Sequence, residues 1–80
     1  DVFPNPATDE VNVSLFLNDA SDVRIDILNL NGKVIETITE VSQVSGLQNN
    51  TIDTTGYATG LYIINIETQE GSFQRKLLKK

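Results

Sequence analysis

Cysteine, histidine, tryptophan and methionine are all absent from this chain of 80 residues. The absence of cysteine excludes a disulfide framework and a thiolate metal site. The absence of histidine removes the commonest general base and the commonest transition-metal ligand. A catalytic site would have to be assembled from carboxylates, Ser, Lys or Tyr, in a chain too short to support a strained cavity. We therefore expect no enzyme, no metal and no cofactor.

Basic residues are few and unevenly placed. Six Lys and Arg stand against eleven Asp and Glu, which gives a net charge of -5. This is the wrong sign for a protein that neutralises the phosphates of duplex nucleic acid, so we expect no nucleic-acid partner. Four of the six basic residues lie between Arg75 and Lys80, and no acidic residue follows Glu70. The C-terminal end is a basic patch on an acidic chain.

Long apolar runs are also missing. No segment approaches the roughly 20 residues that span a bilayer, and no signal-peptide pattern opens the chain, so we expect no direct membrane insertion. The length fits one domain over residues 1–80. The chain begins with Asp1 rather than Met, and we expect it to be a processed product or a piece of a longer protein.

Two alternating runs predict the first long strands. The first run turns Phe16 away from a common apolar face, which is formed by Val11, Val13, Leu15 and Leu17. After a turn cluster at 18–22, the alternation returns with Val23, Ile25 and Ile27. Leu28 and Leu30 have the opposite parity, which requires either cover on both faces or a β-bulge.

The middle of the chain predicts a hairpin followed by a weaker region. Asn31-Gly32 supplies residues that tolerate positive φ, so we expect a tight hairpin that returns through 34–38. The pattern weakens over 39–47, which favours an irregular connection or an edge strand. The segment 48–54 suits a short polar edge strand with Ile52 inward.

Two strands are predicted after the Gly-containing loop at 55–60. The apolar run 61–66 suits a central strand covered on both faces. The segment 73–78 suits a final strand with Phe73 and Leu77 on one face. Together the segments predict an all-β, immunoglobulin-like β-sandwich with six to seven short, mostly antiparallel strands in Greek-key order. The predicted core consists of Val11, Val13, Leu15, Val23, Ile25, Ile27, Ile64 and Ile66.

Three short motifs have a structural explanation beside a functional one. Pro4-Asn5-Pro6 fixes two φ angles near about −65° and removes two backbone donors, which suits a boundary between a linker and a strand. Asn31-Gly32-Lys33 suits hairpin geometry, with or without a contact made by Lys33. Gly60-Leu61-Tyr62 suits tight packing at a strand start, with a hydroxyl that needs a partner.

Other polar groups are better explained by solvent exposure. Asp19 and Asp22 could offer oxygen ligands to Ca²⁺, but the calcium loop is missing and a solvated turn accounts for them. Asp9-Glu10 is not an acid–base pair, because adjacent side chains diverge on a strand. The lysines at the C-terminal end could simply protect a sheet edge against aggregation.

The order and spacing of the motifs resemble the type A C-terminal sorting domain of type IX secretion cargo, the Por secretion system family. The resemblance runs from Phe3 to Lys80. Phe3 stands where the family often has Tyr, and Asn31 where it often has Asp; both replacements keep shape and turn chemistry. The candidate recognition residues that the resemblance implies are Pro4, Asn5, Pro6, Gly32, Lys33, Gly60, Tyr62, Arg75, Lys76, Leu77, Leu78, Lys79 and Lys80.

The resemblance implies an immunoglobulin-like β-sandwich that targets an upstream, covalently joined cargo domain to the outer-membrane translocon. A shuttle protein receives such a domain and a cell-surface sortase removes it, with the cut near or before the proline box. Residues 1–7 would join it to the cargo linker. The implied location is the periplasm in transit, then the outer membrane, the cell surface or the extracellular space. No chemistry is implied for the domain itself.

Two further functions remain open on the sequence. A non-catalytic β-sandwich module that binds carbohydrate or protein would need exposed aromatic rings, and the chain has only two Tyr and three Phe. A spacer would remain on the mature protein. For a sorting domain, we expect the basic terminus to meet an acidic or polar receptor surface, with apolar contact from Leu77 and Leu78 and with pairing of the last strand to a partner's sheet edge.

Overall fold

The computed structural model describes residues 2–3 and 9–80. The strands are β1 (Val2–Phe3), β2 (Glu10–Leu17), β3 (Ser21–Asn29), β4 (Val34–Gln43), β5 (Gly46–Asp53), β6 (Gly60–Thr68) and β7 (Gly71–Lys79). No helix occurs within these described ranges. The predicted all-β fold is confirmed, with seven strands.

The strands form two antiparallel sheets that pack face to face. One sheet has the order β1-β2-β5 and the other β4-β3-β6-β7. Consecutive strands form the hairpins β3–β4 and β6–β7, whereas β2 pairs with β5 and β3 with β6 across the sequence. These non-consecutive pairs give the Greek-key order of an immunoglobulin-like β-sandwich, as predicted.

Apolar residues from both sheets meet in one core between them. Seven of the eight predicted core residues are buried, and Leu15 is partly buried and packs against them. Four further residues complete the core: Leu17, Ile52, Tyr62 and Leu77. Burying a Val, Leu or Ile side chain contributes about 1.5–3 kcal/mol relative to leaving it exposed. This core holds the two sheets together and fixes which residues face outward.

The predicted hairpin at Asn31-Gly32 is present between β3 and β4. The amide of Asn29 donates to the carbonyl of Lys33, and the amide of Gly32 donates to the carbonyl of Asn29. The loop is therefore three residues long, with Gly32 at φ 83°, the geometry of a type I turn followed by a left-handed residue. The register with β4 shifts between Ile27 and Leu28, where Ile35 of β4 is the extra residue. The register of β3 with β6 continues without a shift, so β3 keeps its alternation and Leu28 faces away from the core.

The weak segment after this hairpin is an edge strand. β4 continues to Gln43 at the edge of the four-stranded sheet, because its pairing with β3 extends to Ser21. β5 is an edge strand of the other sheet, with Ile52 buried as predicted. The sequence did not predict β1, whose two residues pair with Val13 and Asn12 of β2.

Candidate recognition surface

The predicted motif residues that the structure describes lie in three places: the β3–β4 turn, the start of β6, and the C-terminal end along β7. Pro4-Asn5-Pro6 lies outside the described residues, so its role stays a prediction. Gly32 and Lys33 lie in the β3–β4 turn. There the Oδ1 atom of Asn29 accepts hydrogen bonds from the backbone N–H groups of Asn31 (2.9 Å) and Lys33 (3.0 Å). This side-chain cap fixes the turn and leaves Lys33 exposed beside the first residue of β4.

Tyr62 in the Gly60-Leu61-Tyr62 motif is a structural residue. Its ring is buried in the core, and its hydroxyl donates to the carbonyl oxygen of Ala58 at 2.6 Å. A tyrosine near the start of a strand that hydrogen-bonds the backbone a few residues upstream is the tyrosine corner of immunoglobulin-like sandwiches. The motif therefore fixes how the loop before β6 enters the sheet.

Tyr57 extends this anchor to β4. Its ring lies beside that of Tyr62, with centroids 5.3 Å apart and planes tilted by 43°, and its hydroxyl donates to the Oε1 atom of Glu36. Partial burial and this hydrogen bond raise the pKa of the Tyr57 hydroxyl. The two tyrosine rings contact each other and the loop; they do not form a flat exposed platform on which a sugar would stack.

The basic residues of β7 divide between the two faces of the strand. Leu77 and Lys79 point inward and are buried, whereas Lys76, Leu78 and the following Lys80 are exposed. Phe73 and Arg75 have the same parity as Leu77, so Phe73 and Leu77 share a side of the strand as predicted. Phe73 and Arg75 are nevertheless exposed, whereas Leu77 is buried. The structure therefore divides what the sequence presents as one basic, apolar patch.

Lys79 is only 7% exposed, and its charge acts on an exposed carboxylate at the sheet edge. Asp53, at the end of β5, accepts hydrogen bonds from the backbone N–H and the hydroxyl of Thr55 at 3.0 Å and 2.7 Å. These bonds, together with the positive charge of Lys79, lower the pKa of the Asp53 carboxyl. In the folded chain, Leu77 and Lys79 are both turned away from solvent.

The outer face of the four-stranded sheet is polar over one half. Directly paired residues of antiparallel strands share a face, and the register aligns Arg24 with Glu67 and Asp26 with Asn65. The Nε atom of Arg24 lies 3.2 Å from Oδ1 of Asp26, and the Thr37 hydroxyl donates to the same oxygen at 2.7 Å. These polar groups are bonded to each other within the sheet.

The other half of this face is apolar, and we name it the apolar half. The register aligns Val34, Leu28, Ile63 and Lys76 in a row across all four strands, and next to it Leu61 with Leu78. Val34, Leu61 and Leu78 are 45%, 44% and 37% exposed, and Leu28 and Ile63 are partly buried. The apolar half consists of Leu28, Val34, Leu61, Ile63 and Leu78.

Sequence reasoning missed Leu28, Val34, Leu61 and Ile63 as candidate residues. The apolar run 61–66 was predicted to be covered on both faces, but in the described part of the chain no element covers the outer one. The opposite parity of Leu28 was the available indication, because an apolar residue on the wrong face of a strand must be either covered or displayed.

Other site types have no counterpart among the residues that the structure describes. No group of three or more acidic residues is placed to hold a metal ion there. That part of the chain also contains no helix long and apolar enough to cross a membrane.

Comparison with known proteins identifies a family for this chain. The family model described as the secretion system C-terminal sorting domain matches residues 1–80, the whole chain. No curated protein matches the sequence. The immunoglobulin-like sandwich, the capped Gly-Lys turn, the tyrosine corner and the basic last strand occur in a chain that matches this family along its full length. The chain accordingly belongs to the C-terminal sorting domains of the type IX secretion system.

Proposed function

We propose that this chain targets an upstream cargo domain to the type IX outer-membrane translocon, where a shuttle protein receives it and a cell-surface sortase removes it. The observation that carries the proposal is the family match over all 80 residues. Membership in this family implies export to the outer membrane, the cell surface or the extracellular space. In this proposal the chain acts as a label and performs no chemistry.

Burial assigns different roles to the candidate recognition residues. Leu77 and Lys79 are buried, and Tyr62 is hydrogen-bonded to the backbone, so we propose that they act by maintaining the fold. We give Gly32 and Gly60 the same role. The exposed residues that remain for contact with a receptor are Lys33, Arg75, Lys76, Leu78 and Lys80. Pro4, Asn5 and Pro6 then mark the boundary with the cargo.

The position of β7 supports contact through the last strand. Among the described residues, β7 is the end strand of its sheet, and Arg75, Lys76 and Leu78 are exposed along it. Exposed basic side chains on this strand favour a receptor that carries carboxylates.

Export of a reporter tests the targeting function. The chain is fused behind a periplasmic reporter in a bacterium that has a type IX secretion system, and the reporter is measured in the medium and at the cell surface. We expect export with the native chain and retention in the periplasm without it. Retention of both would overturn the proposal.

Point substitutions are better suited to this assay than deletion of 75–80. The deletion removes the core residue Leu77, so loss of export would follow from unfolding as well as from loss of contact. The double substitution K76E/K80E changes exposed residues and leaves the core intact. We expect it to reduce export while the purified chain keeps its melting temperature.

Removal by the sortase has a separate measurement. The mass of the reporter recovered outside the cell is compared with its encoded mass. Loss of a C-terminal piece of about the mass of this chain, 8.8 kDa, supports removal. A reporter that keeps the whole chain would favour the spacer function instead.

A further inference from the structure

We propose that the receptor docks on the outer face of the four-stranded sheet, over the apolar half and Lys76, with an apolar protein surface bordered by carboxylates. This inference rests on the proposed sorting function and identifies the face and the chemistry of the contact. The recognised surface is then shared by β3, β4, β6 and β7. It is not confined to the C-terminal residues.

The register shows why this surface is composite. Leu78 lies directly opposite Leu61 of β6, and Lys76 lies opposite Ile63. Ile63 in turn pairs with Leu28 of β3. An exposed residue of β7 therefore stands beside apolar side chains that are distant in sequence, and this arrangement exists only when β7 is paired in the folded sheet.

Positive charge borders the apolar half at β7. Lys76 ends the row that begins at Val34. Lys33 precedes Val34 but pairs with Asn29 and has the opposite parity, so only Lys76 is placed on this face beside the apolar half. The acidic residues of this face, Asp22, Asp26 and Glu67, belong to its polar half. A complementary partner would place a carboxylate at the β7 side of an apolar patch.

Charge also argues against a second copy of the chain as the occupant. A symmetric dimer through the β7 edges would bring Arg75, Lys76 and Lys80 of one copy close to the same residues of the other. Like charges placed opposite each other destabilise a strand pair. Exposed lysines on an edge strand are a recognised means of preventing such pairing. A protein partner with carboxylates removes this repulsion.

Matched substitutions in the export fusion test the inference. Leu61→Ser removes an exposed leucine from the apolar half, whereas Leu47→Ser removes one that is 64% exposed on the other sheet. Lys76→Glu reverses a charge beside the apolar half, and its control Gln74→Glu adds a negative charge to an exposed residue of the same strand that pairs with Asn65 in the polar half. We expect Leu61→Ser and Lys76→Glu each to lower export about tenfold, and their controls to leave it near the native level.

Folding is measured for every variant by thermal unfolding of the purified chain. Because Lys76 is exposed and outside the core, Lys76→Glu still tests the surface if Leu61→Ser fails to fold. Export of a native fusion together with undiminished export of Lys76→Glu would overturn the inference and leave the sorting function standing. Failure of the native fusion to be exported would overturn the sorting function itself.

Two binding measurements address the other possible occupants. The purified chain is examined by analytical ultracentrifugation at about 100 μM and by co-sedimentation with vesicles of phosphatidylglycerol. We expect a monomer and no vesicle binding. A dimer that is lost in Leu61→Ser, or vesicle binding that is lost in Lys76→Glu, would overturn the assignment to an acidic protein partner.

Discussion

Tyr62 stabilises the fold in two ways, because its ring fills the core and its hydroxyl holds the loop before β6. The hydroxyl donates to the carbonyl of Ala58, and the ring contacts Tyr57, which donates in turn to Glu36. Core packing, loop and edge strand are thereby joined through two aromatic residues. The presence of Tyr62 in the Gly60-Leu61-Tyr62 motif is therefore explained by its role in the fold.

Replacement of Tyr62 by Phe tests this explanation. The substitution keeps the ring and removes the hydroxyl, and one intramolecular hydrogen bond contributes about 1 kcal/mol to folding. We expect Tyr62→Phe to lower the free energy of unfolding in urea by about this amount, with an unchanged m-value. A fusion that carries Tyr62→Phe should still be exported at a temperature where it is folded. Loss of export from a folded Tyr62→Phe fusion would give the hydroxyl a direct role in recognition.

The β3–β4 turn and β7 show how an element determines what its residues can do. The side chain of Asn29 caps the turn through two backbone N–H groups, and Gly32 supplies the left-handed residue that closes it. On β7, alternation directs Leu77 into the core and Leu78 to the outside. Side chains one residue apart therefore have opposite roles.

Substitution of two glycines by alanine separates backbone conformation from available space. Gly32 and Gly56 both have open space where a Cβ atom would lie, but only Gly32 has a positive φ, 83°. We expect Gly32→Ala to destabilise the chain by about 1 kcal/mol, because a left-handed conformation is costly for residues with a Cβ. Gly56→Ala should change the free energy of unfolding by less than half of this. Equal effects in urea titrations would show that φ does not control stability at this turn.

Periodicity predicted the long strands and their inward faces, but it predicted neither the short strand β1 nor the outward faces. Val11 and Val13 of β2 are separated by one polar residue, as are Val23 and Ile25 of β3, and such a pattern fixes an inward face wherever the strand is paired. The display of Leu61 and Ile63 depends on which strands lie beside β6 and whether anything covers them, and that information is not local. The burial of Lys79 was unpredictable for a related reason, since a long amphipathic side chain can lie on either side of a sheet edge.

Across the whole molecule, charge and apolar surface are segregated. The chain carries a net charge of -5, yet the apolar half is bordered by the basic Lys76. A second exposed apolar pair, Phe16 and Leu47, lies on the other sheet. An acidic body with one basic region orients an approaching partner before contact, and this effect weakens with added salt.

The stability of the whole chain should fall at both extremes of pH. The pKa of Asp53 is lowered, so its contribution is present above the unfolded value of about 4 and is lost as the pH falls toward the folded value. The pKa of Tyr57 is raised, so its contribution is present below about 10 and is lost as the pH rises. We expect urea midpoints to be highest between these limits. Tyr57→Phe should make the alkaline decline shallower; an identical decline would show that Tyr57 does not cause it.

The two-residue pairing of β1 has a consequence for how the sandwich responds to mechanical force. Among the described residues, β1 is joined to β2 by two antiparallel residue pairs, whereas β7 is joined to β6 by nine. Tension applied at the amino end would therefore detach β1 first, while β6 and β7 remain paired. A cargo that is pulled during its passage across a membrane could stretch this end of the chain without dismantling the sheet at the other.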